Sequence, residues 1–217
     1  MHSLRISGPE DFGRAFGVPA ASLDRLRIYV DLLIQWQQRI NLVGPSTLET
    51  VWQRHIADGA QVLALGDARG QTWIDLGTGA GIPGMVIAIL LAEGSRGHVH
   101  LVESNQKKVA FLRQVIRKTG ARATIHAERI EAIDPRTIHP VPLIVTARAL
   151  APLVKLLDFA RPWLEDGALG VFLKGQDVDD ELTEAAKYWR ITVRKQPSRI
   201  DPSGCVLLVE EAHRADT

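Results

Sequence analysis

Cysteine is nearly missing from this sequence: Cys205 stands alone among 217 residues, so no internal disulfide can close and no multi-cysteine zinc site can form. The seven histidines never fall into an H-E-x-x-H or comparable ligand spacing, and no metal is expected. Long apolar runs are missing as well. Met85 to Ala92 is the longest, well short of the roughly 20 residues that a membrane-spanning helix needs. The opening stretch MHSLRISGPEDFG has no apolar secretory core, so a cytoplasmic protein with no membrane partner is expected. Bias of charge is equally absent, with 26 lysines and arginines against 25 aspartates and glutamates. With 46% hydrophobic and 24% charged residues, the chain has the composition of an ordinary globular protein, neither disordered nor fibrous.

The charges that are present are unevenly placed. No acid occurs between Glu103 and Glu128, whereas Lys107, Lys108, Arg113, Arg117, Lys118 and Arg122 all do. Such a stripe is either a solvated helix face or a surface that meets a phosphate backbone.

Residues 1–68 read as a helical segment. Leu23, Leu26, Val30, Leu33, Ile34 and Ile40 recur at helical steps over Ser22 to Val43, and a second helix is expected from Ser46, with Glu49 completing a capping box, to about Leu65. Residues 69–217 change to alternating strands and helices after the turn GDARGQ. Strands are expected at 72–76, 98–103, 123–127, 142–147 and 168–175, with helices over Pro83 to Ala92, Asn105 to Thr119, Pro152 to Trp163 and Val178 to Trp189. Two closing strands, Ile191 to Lys195 and Cys205 to Glu210, fit an antiparallel pair at the sheet edge. The fold class is therefore α/β: a doubly wound, mostly parallel sheet with antiparallel C-terminal edge strands and an N-terminal helical extension packed on it.

In such sheets ligands sit beyond the carboxyl ends of the strands. The first strand runs into WIDLGTGAGIPG, where Gly77, Gly79, Gly81 and Gly84 let backbone approach a ligand. Gly79 to Gly84 satisfies G-x-G-x-x-G, the dinucleotide fingerprint, so an NAD-type oxidoreductase is one reading. Against a pyrophosphate, Asp75, Leu76, Gly77 and Thr78 separate strand from fingerprint, and the Asp75 carboxylate would repel phosphates while tolerating a cation. S-adenosylmethionine is such a cation, a sulfonium nucleoside with no phosphate. Glu103, ending the second strand, suits the ribose hydroxyls of either ligand.

DLGTGAGIPG, VESNQKKVAFL, AERIE, VTARALAPL and FLKG, with NLVG at 41–44 and RHIADG at 54–59, resemble the RsmG (GidB) family, the bacterial 16S ribosomal RNA guanine-N7 methyltransferases. The resemblance runs from about Leu32 to Gly175. It implies a class I, Rossmann-like methyltransferase domain over 69–217, S-adenosylmethionine as cofactor, and 16S ribosomal RNA or the small subunit as partner, with a monomer expected. It also implies that Gly77 and Ile82 contact the cofactor, that Glu103 holds the ribose, that Ile130 and Glu131 flank the adenine, and that Arg148 is the family's arginine after the fourth strand. RHIADG ends in glycine where many members have serine.

The residues suit this chemistry. Neither an Asn/Asp-Pro-Pro-aromatic tetrad follows the fourth strand nor does a cysteine nucleophile lie near the glycine turn; Cys205 belongs to a closing strand. Guanine N7 carries an in-plane lone pair and no proton, so positioning and exclusion of water suffice. Arg148, always protonated, suits paired hydrogen bonds to a cofactor carboxylate or an RNA phosphate, or else a salt bridge to a neighbouring acid. Lys174 is a second positioning candidate at the same mouth and, with Lys107, Lys108 and Arg113, a candidate RNA contact. His55 and Asp58 read as a buried pair that docks the helical segment, and Trp36 and Trp52 as packing residues. A non-catalytic RNA-binding protein on the same scaffold is the remaining alternative.

Overall fold

Thr72–Leu76, the stretch TWIDL, is buried at all five positions, as a parallel strand covered on both faces requires. It is β1 of the computed structural model, which describes residues 3–65, 71–92 and 97–215. The chain continues as α4 (Gly84–Leu91), β2 (His98–Val102), α5 (Gln106–Thr119), β3 (Ala123–His126), β4 (Ile144–Arg148), α6 (Leu153–Glu165), β5 (Leu169–Lys174), α7 (Val178–Ala185), β6 (Trp189–Pro197) and β7 (Cys205–Arg214). Ahead of β1 lie α1 (Pro9–Phe16), α2 (Ala20–Gln37) and the single turn α3 (Asp58–Ala60).

The sheet has seven strands in the order β3-β2-β1-β4-β5-β7-β6. β1 to β5 are parallel, and β7 runs antiparallel to both β5 and β6. The expected parallel sheet with an antiparallel closing pair is thus observed. Strand order reverses between β1 and β4, and that switch point opens the crevice where ligands enter a doubly wound sheet.

Two apolar layers cover the sheet, and alternate residues of each strand enter alternate layers. Trp73, Val99, Leu101 and Val171 join α4, α5 and the N-terminal Leu26, Tyr29 and Leu33. Ile74, Leu76, Val102 and Phe172 join α6 and α7. The helical segment therefore shares one core with the sheet. α5 shows why its sequence forms a helix there: the Asn105 side chain accepts from the backbone of Lys107 and Lys108, Gly120 closes the other end at φ 64°, and Val109, Leu112 and Val115 face inward.

Departures from the sequence reading concentrate before β1. α1 was not anticipated. α2 stops at Gln37 because that side chain turns back on the following loop, accepting from Leu42 and Val43 and donating to the Val43 carbonyl. Ile34, expected inward, is 42% exposed because Leu26, Tyr29, Val30 and Leu33 form the buried stripe. The single helix expected from Ser46 is a broken series: a 3-10 turn Pro45–Thr47, a π-helix Trp52–Ala57, α3, and a 3-10 turn Gln61–Ala64. Ser46 lies inside the first turn, no side chain caps it, and no capping box forms. The π-turn is wide enough for neighbouring polar side chains to reach separate partners, and such turns gather at functional sites. Gln53 bonds to Ile6, Leu4 and Ile200, and Arg54 to Asp201. α7 ends at Ala185, so Trp189 starts β6, and β7 continues to Arg214. The expected turn GDARGQ falls mostly outside the described residues.

Candidate functional site: a glycine turn and a cavity beyond the strand ends

The turn after β1 depends on three glycines with left-handed backbone, Gly77 (φ 62°), Gly79 (φ 59°) and Gly81 (φ 94°). Asp75, at the end of β1, lies wholly buried beneath them. One of its oxygens accepts the Thr78 hydroxyl at 2.5 Å and the Gly84 amide at 2.9 Å, while the other has no partner among the described residues. Burial pushes the carboxyl up to about 7, against the pull of those two hydrogen bonds. Gly84 must stay bare, since a Cβ there would stand 2.5 Å from Leu101 and 2.6 Å from the Asp75 carboxylate. Asp75 thus shapes the turn from below and offers no exposed surface to a ligand.

Glu103, just past β2, accepts the Gly79 amide at 3.0 Å and the Asn105 amide at 2.7 Å, one on each oxygen. Free lone pairs remain on both oxygens for hydroxyl donors. Of the fingerprint glycines, Gly79 and Gly84 therefore donate their amides to carboxylates, and Gly81, at the position where backbone would approach a pyrophosphate, donates to the Thr78 carbonyl at 2.8 Å. The turn fits a phosphate-free nucleoside and opposes a dinucleotide.

Ile82 is buried in the core beneath the turn. Ile130, half-buried, and Glu131, exposed, stand in a 3-10 turn beyond β3, and the Glu103 amide donating to the His126 carbonyl at 3.1 Å ties the ends of β2 and β3 together. One contributor escaped sequence reasoning. Tyr29 of α2, fully buried, donates its hydroxyl to the Ala80 carbonyl at 2.7 Å, at the top of the turn. The helical period of Leu23, Leu26, Val30, Leu33, Ile34 and Ile40 does not include it, and its partner lies 51 residues away.

Beyond β4 and β5 lies a cavity of about 610 Å³, within the range of small-ligand sites. Its walls come from the π-helical segment, from β4 and β5 with the chain after each, and from the β6–β7 loop. Leu150, between the wall residues Ala149 and Ala151, packs so closely on Gly77 of the glycine turn that a Cβ there would meet it at 2.5 Å. Arg148 lies on the cavity wall and makes three bonds: Nη1 to the Arg54 carbonyl (2.9 Å) and to Asp58 (3.0 Å), and Nη2 to His55 Nδ1 (3.0 Å). Ala149 follows at φ 50°, a left-handed backbone that costs an L-residue about 1–3 kcal/mol and gathers at functional sites. The salt bridge of Arg148 to a neighbouring acid exists, yet Nε–H and one Nη2–H keep no partner among the described residues. His55 is buried, as expected, and burial together with the Arg148 and Arg54 cations pulls its imidazole down to about 4.

Lys174 faces the same cavity, but its ammonium is held by Glu181 at 2.5 Å and by the Ala151 carbonyl at 3.3 Å. Glu181 also accepts the Leu153 amide at 2.6 Å. Lys174 therefore reads first as the tie between β5, α7 and the start of α6. Cys205 is nearer than its strand position suggested, because pairing with Lys174 across β5 and β7 brings it to the cavity wall. Burial raises its thiol above the ordinary value, so it is no ready nucleophile.

On α5, Lys107, Arg113, Arg117 and Lys118 are exposed, and Lys108 is partly so. None of the five is paired with an acid among the described residues. The Lys108 ammonium is 4.0 Å from where a Cβ on Gly79 would be, beside the turn, and Lys107 is its neighbour at the start of α5. Trp36 is a packing residue, edge-on to Phe111 and bonded to Gln114; Trp52 packs against Phe12.

Comparison with known proteins places this arrangement. The family model GidB, rRNA small subunit methyltransferase G, matches residues 22–200. The chain is 46% identical over 207 residues to the ribosomal RNA small subunit methyltransferase G of Paramagnetospirillum magneticum, covering 95% of this chain and 97% of that protein. Among solved structures it resembles cofactor-bound Rv0187 from MTB, with a TM-score of 0.60, 14% identity, and 95% and 99% of the two chains covered. It also resembles a mutant of MtNAS in complex with S-adenosylmethionine, with a TM-score of 0.54, 18% identity, and 88% and 77% covered. At those identities the structural likeness speaks to the fold alone, which is the class I, Rossmann-like methyltransferase fold.

Proposed function

The chain belongs to the rRNA small subunit methyltransferase G (GidB) family, and from that premise we propose that it methylates guanine N7 in the 16S RNA of the small ribosomal subunit, with S-adenosylmethionine as cofactor. When bound, the cofactor supplies a methyl group made electrophilic by the adjoining sulfonium. Glu103 would take the ribose hydroxyls, the backbone of Gly77 and Gly79 would line the nucleoside, and Ile130 and Glu131 would flank the adenine, above the floor that Ile82 and Asp75 build. The two N–H groups left on Arg148 form a donor set for one anionic oxygen pair, the cofactor carboxylate or an RNA phosphate.

The cavity beside the turn is our candidate for the acceptor base. Three of its carboxylates are paired, Asp58 with Arg148, Glu181 with Lys174 and Asp201 with Arg54. Asp177, exposed after β5, is a fourth carboxylate on the wall and has no ion pair among the described residues, but N7 carries no proton to remove and needs no base: alignment and exclusion of water carry the reaction. The unpaired cations of α5 would meet RNA phosphates, which position without reading sequence. We read residues 1–68 as a helical segment docked on the catalytic domain 69–217, and the protein as a cytoplasmic monomer. No helix among the described residues is long and apolar enough to cross a membrane.

The observation that carries this reading is that the Gly79, Gly81 and Gly84 amides are all taken within the turn, by Glu103, the Thr78 carbonyl and Asp75. Thermal melting tests it: S-adenosylhomocysteine should raise the midpoint and NAD should not. Protection by NAD alone would return the turn to the oxidoreductases.

A further inference from the structure

We infer that His55 is a positioning residue for methyl transfer, fixing the plane of the Arg148 guanidinium at the wall of the acceptor cavity. The inference rests on the function proposed above, and its geometry can be followed bond by bond. Arginine offers N–H donors only, so at 3.0 Å from Arg148 Nη2 the Nδ1 of His55 must accept. A neutral imidazole that accepts at Nδ1 carries its proton on Nε2. That proton goes to the Thr47 hydroxyl at 2.7 Å, and the Thr47 proton goes on to the Gly44 carbonyl at 2.6 Å. The chain of bonds has one direction throughout, from the guanidinium to the backbone of the N-terminal segment.

Three charged groups face His55 or its partner: Arg148 from β4, and Arg54 and Asp58 from the irregular segment that carries His55 itself. A protonated imidazole would set N–H against N–H beside two cations, and the observed surroundings favour the neutral ring. The other two bonds of Arg148, to the Arg54 carbonyl and Asp58, both fall on Nη1. A guanidinium held at one nitrogen can pivot about it. The His55 bond on Nη2 removes that freedom and sets the direction in which the remaining Nε–H and Nη2–H point.

A substitution series separates this role from simple packing. In His55→Asn the amide oxygen can stand near the place of Nδ1 and still accept from Arg148, whereas in His55→Gln the longer side chain reaches toward Thr47 instead. Methyl transfer to undermethylated small subunits should fall about tenfold in His55→Gln, the scale of one hydrogen bond to a charged group, and recover most of that loss in His55→Asn. Arg148→Ala with His55→Gln should be no slower than Arg148→Ala alone, because both act through one guanidinium. Equal losses in Asn and Gln variants that melt like the wild type, or additive losses in the double variant, would overturn the inference. Nitrogen NMR of the His55 ring at neutral pH reads the same device without any activity: protonation at Nε2 alone is expected, and protonation at Nδ1 overturns it. An inactive wild type with the expected tautomer would count against the proposed function and leave the bond chain standing.

Discussion

The glycine turn is held by short-range bonds, with Thr78 and Gly84 reaching Asp75 over three and nine residues and Gly79 reaching Glu103 over 24. The cavity beyond β4 and β5 is closed by bonds between residues far apart in the chain: Arg148 to Asp58 over 90 residues, Gln61 to Ser198 over 137 and Arg54 to Asp201 over 147. The turn and the cavity both lie beyond the carboxyl ends of strands of one sheet yet are assembled differently. A turn built from neighbours is set by its own sequence, and it suits a ligand common to many enzymes. A cavity built from the N-terminal segment, β4, β5 and the β6–β7 loop depends on the whole fold, which is where a particular substrate can be specified.

Substitutions on each side should therefore separate. Arg148→Ala carries the largest effect: a loss of about 100-fold or more in methyl transfer, comparable to removing a positioned donor from an active site, with folding retained as judged by circular dichroism. Unchanged turnover at limiting cofactor and RNA would remove Arg148 from the site. Glu103→Ala should act on the other side, weakening S-adenosylhomocysteine binding about tenfold to 100-fold by calorimetry while RNA binding stays as in the wild type. If RNA binding fell in parallel, the two sides would not be separable. Lys107→Glu with Lys108→Glu should weaken RNA binding severalfold and flatten its salt dependence; an unaltered salt slope would assign both to solvent.

Tyr29→Phe tests a bond from the N-terminal segment to the glycine turn. It leaves the buried Ala80 carbonyl without its donor, at a cost of about 1–3 kcal/mol, and should weaken cofactor binding several-fold with RNA binding unchanged. Acid should give the smallest and most graded separation. His55 is depressed from 6.5 to about 4 in the fold, so its contribution is present above pH 6.5 and lost as pH falls through about 4. Asp75 is raised from 3.8 to about 7, so its contribution is present at low pH and lost as pH rises through about 7. Between these limits, hydrogen-exchange protection around residues 44–60 should fall on acidification before protection around 75–84 does. The reverse order would contradict the assignment of either group.

The same contrast explains what the sequence disclosed. β1 to β5, the glycine turn and Glu103 were legible because strand alternation, glycine spacing and the acid at a strand end are local signals. The series from Ser46 to Leu65 was not, because its polar residues Gln53, Arg54, His55 and Gln61 bond to partners far along the chain, and these contacts override the helical period. The tie of Lys174 to Glu181, the arrival of Cys205 at the cavity and the bond from Tyr29 to Ala80 likewise arise only when the sheet order is known. Arg148 was identified by resemblance, but its three partners could only be seen in the fold.

The most direct test is incubation of the protein with methyl-labelled S-adenosylmethionine and undermethylated small ribosomal subunits, followed by mapping of the modified nucleotide. The account predicts one labelled guanine in 16S RNA, carrying the methyl group on N7. Label on another atom or another base, or an unlabelled RNA from protein that binds the cofactor, would contradict it.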